Sequence, residues 1–236
     1  ILQIAFQKYA AILPHMTLKL PIIIGHRGAA AYAPENTLES IHTAADMGMK
    51  WVELDVKLTK DMVPIIFHDD DLDRTTNGHG PVAAMNFADI RELEAGSWFS
   101  EGYGDVKIPT LEEAIEVILK RDIGVNLEIK PCPGREVDTA EAMLDILSQI
   151  WDDRDRLLIS SFSHVSLETA MEMAGDWYRG LLLESDPAPN WAELADYLDV
   201  ATINIDGRTA SREFIEEIKE AQKPILAYTI NDPQLA

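Results

Sequence analysis

Apolar residues in this chain gather into short runs separated by stretches of helical spacing. Ile22, Ile23 and Ile24 form a β-branched run that breaks at Gly25-His26-Arg27-Gly28. Trp51–Val56 and Pro64–His68 form two more strand-like runs, and Val125–Lys130 repeats the pattern downstream. Between the first two, Leu38, Ile41, Ala45 and Met49 recur at helical spacing behind a capping-box-like start at Asn36–Glu39. The turn at Lys60-Asp61 is too short for a crossover helix, an irregularity for a parallel barrel. Residues 69–110, rich in glycine and proline, read as an excursion over the barrel mouth with one short helix near Phe87–Glu94. Trp98, Phe99 and Tyr103 are placed to line a pocket there, although aromatic loop residues more often simply pack. Thr110 and Glu113 then open a helix that puts Leu111, Ala114, Ile115 and Ile118 on one face.

From that helix onward the alternation is regular. Strands are expected at 125–129, 157–160, 180–183, 200–205 and 224–230, and helices at about 136–151, 164–174, 190–198 and 211–222. The third of these helices starts at a further capping box, Asn190 with Glu193. Strands alternating with helices imply a parallel sheet, and this many favour closure into a (β/α)8 TIM barrel with a loop-rich insertion after the third strand.

The two-residue period of a strand carries the chemistry. Glu53 and Asp55 share one face while Val52, Leu54 and Val56 take the other. Glu128 and Lys130 likewise oppose Leu127 and Ile129. If these strands are parallel neighbours, three carboxylates converge, with a lysine, an arginine and the imidazoles of His26 and His68 around them. Such a cluster raises its own pKa values or demands a cation, and a hard divalent ion with oxygen ligands, Mg²⁺ or Ca²⁺, suits it.

Composition narrows the partners. The chain has 236 residues, a normal size for one α/β barrel, and its formal charge of −21 argues against general nucleic-acid or anionic-membrane binding. An anionic substrate would need local cations, for which Arg27, Lys130 and a bound metal are available. Cys132 is the only cysteine, so no intrachain disulfide is possible and nothing points to an oxidising compartment. A nucleophilic role is conceivable for it, but a small side chain in the Pro131/Pro133 turn is the stronger reading. Residues 1–15 are interrupted by Gln3, Gln7 and Lys8 and fit neither a membrane span nor a signal-peptide core. They read as an extension, with native translation expected near Met16 and the barrel domain over 16–236.

Together, Gly25–Gly28, Pro34–Thr37, Glu53-Leu54-Asp55, His68-Asp69, Leu72–Gly78 and Glu128-Ile129-Lys130 resemble the glycerophosphodiester phosphodiesterase family, bacterial cytosolic type, within the phospholipase C-like phosphodiesterases. Weaker matches continue through Ser160–Phe162, Gly180–Leu183 and Ala227–Asn231. The resemblance implies Glu53, Asp55 and Glu128 as ligands of one divalent cation, Mg²⁺ or Ca²⁺, and His26 and His68 as the acid/base pair. It also implies that Arg27 and Lys130 hold the phosphate, while Phe162 and Tyr228 pack on the glycerol or, almost as readily, in the core. Hydrolysis of a small glycerophosphodiester to sn-glycerol 3-phosphate and an alcohol is expected, by attack of the adjacent glycerol hydroxyl or of water. The expected setting is cytoplasmic, without nucleic acid or a stable membrane anchor, and the oligomeric state is left open. Family members continue past Tyr228–Asp232 with a further helix and strand, so the C-terminal end is expected to be incomplete.

Taken singly, a Glu-x-Asp is more often the wet face of an edge strand and a histidine more often structural. Recurrence of polar pairs at the C-terminal ends of several strands, where a barrel places its active site, outweighs those readings. His15, His42, His79 and His164 lack that placement and receive no role. Arg74 and Asn77 read as turn-forming and ion-pairing, and Glu35 as a partner for Arg27. The competing functions are a lysophospholipase-type phosphodiesterase, a metal-dependent sugar isomerase or aldolase, and a non-catalytic binding barrel. The isomerase reading leaves Arg27, Lys130 and the histidines without a task.

Overall fold

The computed structural model describes residues 18–185 and 187–231 together with the backbone of residues 2–6. His15, the expected start at Met16, and Asp232 lie outside these residues. The strands are β1 (Leu2–Phe6), β2 (Ile23–His26), β3 (Trp51–Leu58), β4 (Pro64–Ile66), β5 (Gly124–Ile129), β6 (Leu157–Ser161), β7 (Tyr178–Leu183), β8 (Thr202–Asp206) and β9 (Ile225–Ile230). The helices are α1 (Leu38–Asp46), α2 (Phe87–Ile90), α3 (Leu111–Lys120), α4 (Glu136–Ile150), α5 (His164–Met173), α6 (Trp191–Tyr197) and α7 (Arg212–Glu220).

Seven strands, β2, β3 and β5–β9, pair in parallel around a TIM barrel. The backbone of β1 runs antiparallel between β9 and β2 and closes the ring. The expected third strand is not one of the barrel staves. β4 turns back antiparallel on β3, with Val56 opposite Ile66, and β5 pairs directly with the other edge of β3. The connection between β3 and β4 explains this. Thr59 closes it by donating its backbone N–H to the Val63 carbonyl at 3.1 Å, and its hydroxyl accepts from the Val63 N–H at 3.0 Å. So short a turn supports a hairpin and no parallel crossover.

Val52, Leu54, Val56, Leu127 and Ile129 pack outward under α1, α3 and α4 in one core, leaving the opposite faces of β3 and β5 to point inward. Ile24, Trp51, Leu158, Tyr178 and Leu226, near the starts of their strands, plug the lower end of the barrel. The insertion is more than a loop, because Ile65, Phe67, Leu72, Val82, Ile90 and Ile108 give it a small core of its own. Two caps differ from expectation. The α1 box is Thr37 with Ser40, one residue later than read, and Asn190 makes no side-chain cap on α6. Thr110 and Glu113 do form the expected box on α3. Trp98, Phe99 and Tyr103 stack edge to face on one another at 5.8 and 5.6 Å, so they pack within the insertion.

Candidate active site

The turn after β2 is built to point a backbone donor at a carboxylate. Arg27 and Gly28 both take left-handed backbone, φ 51° and 76°, a conformation that strains the arginine and suits the glycine. A Cβ on Gly25 would lie 2.7 Å from the Gly28 carbonyl oxygen, so the turn closes only with glycine there. In this geometry the Arg27 N–H donates to Glu53 Oε2 at 3.0 Å and the Gly28 N–H to the Glu53 carbonyl at 3.1 Å. The strand register does the rest, placing His26 beside Glu53 and Asp55 beside Glu128.

The three carboxylates that the strand pattern singles out do converge. Glu53, Asp55 and Glu128 are all buried and offer oxygens within 4.8 Å of one another. Burial first, and then Asp55 and Glu128, push Glu53 well above the usual carboxylate range. Burial and the Asp55 charge likewise push Glu128 up to about 7. Asp55 alone is held low, because Arg27, Lys130 and an amide hydrogen bond outweigh its burial. That amide is Asn36, read from the sequence as a helix-start residue. Freed from capping by Thr37, and left-handed at φ 56°, Asn36 donates Nδ2 to Asp55 Oδ2 at 2.8 Å and accepts the Asp55 N–H at 3.3 Å. Its place in the Pro34–Thr37 motif was the available signal.

Both cations expected at the site are there. Arg27 Nη1 donates to Glu35 Oε1 at 2.6 Å and its Nε lies 3.5 Å from Asp55 Oδ2. Lys130 Nζ donates to Glu128 Oε1 at 2.9 Å and lies 3.8 Å from Asp55 Oδ1. The expectation that Glu35 partners Arg27 therefore holds. A third cation went unread: Lys57, buried on β3, donates to Asp70 Oδ1 at 2.6 Å and to the Lys130 carbonyl at 3.2 Å.

His26 places Nε2 3.7 Å from Glu53 Oε2, and burial together with the Arg27 charge lowers its pKa to about 3. His68, carried by the segment after β4, has its Nδ1 2.6 Å from Asp69 Oδ1. A carboxylate can only accept, so the His68 Nδ1 carries the proton and Nε2 presents a lone pair. Phe162 and Tyr228 meet edge to face at 5.8 Å, and the Lys130 ammonium sits 5.6 Å from the Phe162 ring centre. His79 pairs instead with Asp73, and Asn77 fastens Glu94 within the insertion. Cys132 is buried, and burial raises its thiol pKa.

Glu53 Oε1 is buried without a hydrogen-bond partner among the described residues. Three buried carboxylates facing two cations, with one oxygen left open, fit a hard divalent ion. Beside them opens a cleft of about 680 Å³, lined among others by Lys57, His68, Asp70, Lys130, Phe162 and Glu184.

A model of the glycerophosphoryl diester phosphodiesterase family matches residues 26–236, the span that contains every one of these groups. The chain belongs to that family. A glycerophosphodiester phosphodiesterase of Caldanaerobacter subterraneus subsp. tengcongensis is 37% identical over 174 residues, 72% of this chain and 70% of that one. A phosphodiesterase from Oleispira antarctica, solved in complex with the product sn-glycerol-3-phosphate, superposes with a TM-score of 0.86 at 43% identity, covering 90% of this chain and 85% of the other. The glycerophosphodiester phosphodiesterase of Thermotoga maritima superposes with a TM-score of 0.72 at 27% identity, over 90% and 87% of the two chains. This phosphodiesterase is thus a hydrolase on a TIM barrel, and no helix among its described residues is long and apolar enough to cross a membrane.

Proposed function

We propose that this phosphodiesterase hydrolyses small glycerophosphodiesters to sn-glycerol 3-phosphate and an alcohol with the help of one divalent cation, in a cytoplasmic setting. The observation that carries the proposal is the buried triad Glu53, Asp55 and Glu128, with two imidazoles and two cations around it. The product bound to the Oleispira antarctica relative supports the choice of substrate. The charged groups at the cleft, Lys57, Asp70, Lys130 and Glu184 among them, suit a charged headgroup diester.

In this reading Glu53, Asp55 and Glu128 hold the ion, Mg²⁺ or Ca²⁺, which when bound neutralises phosphoryl oxygen charge. Arg27 and Lys130 take the remaining phosphate charge. Each is already oriented by a carboxylate, so little side-chain freedom is lost on binding. His68, neutral with Nε2 open, is suited to take the proton of the attacking oxygen, and Asp69 stabilises the imidazolium that results. His26, at the end of β2, is the second member of the acid/base pair: an anionic phosphate held by Arg27 offsets the charge that helps to lower its pKa, so that it can carry the proton the leaving alkoxide takes. Phe162 and Tyr228 form an aromatic wall against which the glycerol packs.

The test is coupled detection of sn-glycerol 3-phosphate released from glycerophosphocholine and glycerophosphoethanolamine with Mg²⁺, with Ca²⁺ and with chelator. Chelator-sensitive release is expected. Undiminished release in chelator would overturn the role of the ion, and a folded, ion-binding protein that released nothing would overturn the substrate.

A further inference from the structure

An unbroken chain of charge-assisted hydrogen bonds joins Arg27 to His68, and its middle member is a residue to which the mechanism above gives no part. Arg74 donates Nε to Asp69 Oδ2 at 2.6 Å and Nη2 to Asp69 Oδ1 at 2.9 Å. On its other edge it donates Nη1 to Glu35 Oε2 at 2.9 Å and Nη2 to Glu35 Oε1 at 2.7 Å. Beyond Asp69 stands His68, and beyond Glu35 stands Arg27, each bonded at 2.6 Å. We propose that Arg74 is a positioning residue that, through Asp69 and Glu35, fixes the tautomer of His68 and the reach of Arg27 with a single planar group. The proposal rests on the roles given above to those two residues.

The bland alternative is a surface ion pair, since the Arg74 side chain is 44% exposed and isolated exposed pairs contribute little. Three observations weigh against it. Both contacts are two-pronged, a geometry only a guanidinium can offer to two carboxylates at once. Glu35 is nearly buried, with its side chain 9% exposed, so this end is poorly screened by solvent. And the loop that carries Arg74 is itself fixed. Leu72 is packed in the core of the insertion, its N–H donates to the Gly80 carbonyl at 3.0 Å, and the Thr76 hydroxyl donates to the Leu72 carbonyl at 2.7 Å. An arginine so anchored transmits position.

The consequence for His68 is specific. With both Asp69 oxygens engaged by Arg74, that carboxylate remains an ionised acceptor and its plane is set, so the imidazole keeps its proton on Nδ1 and aims Nε2 at the cleft. The Arg74 hydrogen bonds, helped by the His68 contact and outweighing burial, also hold the Asp69 carboxyl well below its ordinary range. Without Arg74, Asp69 turns about its own bonds and the ring samples both tautomers.

The experiment is long-range ¹H–¹⁵N correlation of the histidine rings in the ion-loaded protein at neutral pH, with His68 assigned by its loss in His68→Ala. The wild type is expected to show one Nδ1–H tautomer for His68 and Arg74→Met a mixture of the two. Glycerophosphodiester turnover in Arg74→Met is expected to fall roughly 10- to 100-fold in kcat, the scale of a small misplacement of a reacting group, with KM raised as well. Glu35→Gln is expected to raise KM and leave the His68 tautomer unchanged, because the Asp69 contact survives. A single Nδ1–H tautomer persisting in Arg74→Met overturns the proposal. Should Arg74→Met not fold, Arg74→Lys carries the same readout, since one ammonium cannot serve both carboxylates. Mixed tautomers there support the proposal and a single Nδ1–H form overturns it. Wild-type turnover in His68→Ala would instead overturn the mechanism, and the tautomer result would stand apart from it.

Discussion

The barrel mouth has a charged half and an aromatic half, and they are built on different terms. On and just after β2, β3 and β5 lie His26, Arg27, Glu53, Asp55, Glu128 and Lys130, mostly buried and held by one another. On β6 and β9 the corresponding positions carry Phe162 and Tyr228, set among neutral hydrogen bonds. Tyr228 donates to the Leu183 carbonyl at 2.8 Å, and Ser161 to the Ile129 carbonyl at 2.6 Å. Burying like charges works against folding, so the charged half survives only because the turn at Arg27 and Gly28, Asn36 and the two cations over-determine it. The aromatic half is stable on its own account. Mutations in the two halves should therefore fail differently.

The largest effect is expected in the charged half. His26→Ala or His68→Ala should lower turnover by roughly 10²–10⁴-fold, the span of positioned acid/base groups, while leaving the fold and divalent-ion binding intact. Initial rates, circular dichroism and ion-binding calorimetry on the same preparations check this. Either variant retaining wild-type turnover would remove that histidine from the mechanism.

Next comes the price of the carboxylate cluster. Because Glu128 is raised from an ordinary 4.5 to about 7, the folded state binds more protons than the unfolded state between those values. Ion-free stability should then fall as pH rises from about 5 through 7, an upper bound on the order of 3 kcal/mol for this one group. Glu128→Gln should flatten that slope and at the same time weaken divalent-ion affinity by at least about 100-fold, more than an outer-shell change produces. Thermal melts across pH with chelator, paired with calorimetry, decide it; an unchanged slope together with unchanged affinity would refute the ligand role.

How much of this the sequence disclosed follows the same division. Strand alternation sorted Glu53, Asp55, Glu128 and Lys130 onto inward faces, and register alone then brought them together. What alternation does not encode is what a side chain beyond its own strand will reach. Asn36 looked like a cap because the same residue types start helices and bind carboxylates, and only the left-handed backbone distinguishes the two. Lys57 shares the strand face of Glu53 and Asp55, but its partner, Asp70, depends on the insertion folding back. β4 matched the barrel pattern in its residues, and the shortness of its connection was the cue to its reversal.

The smallest effects belong to the aromatic half, and they separate binding from stability. Phe162 is 41% exposed and faces the cleft, so Phe162→Ala removes substrate contact without opening the core. KM should rise by roughly 3- to 10-fold with kcat within about twofold, the worth of one aromatic contact. Tyr228→Phe keeps the ring that meets Phe162 and deletes only the hydrogen bond to the Leu183 carbonyl. Its cost should be about 1 kcal/mol of stability, a drop of roughly 2–4 °C in Tm, with KM unchanged. Steady-state kinetics and melting on both variants compare the halves directly. A Phe162→Ala enzyme that loses kcat in proportion to KM would mean that this wall also orients the reacting phosphate, and the division between the two halves would no longer hold.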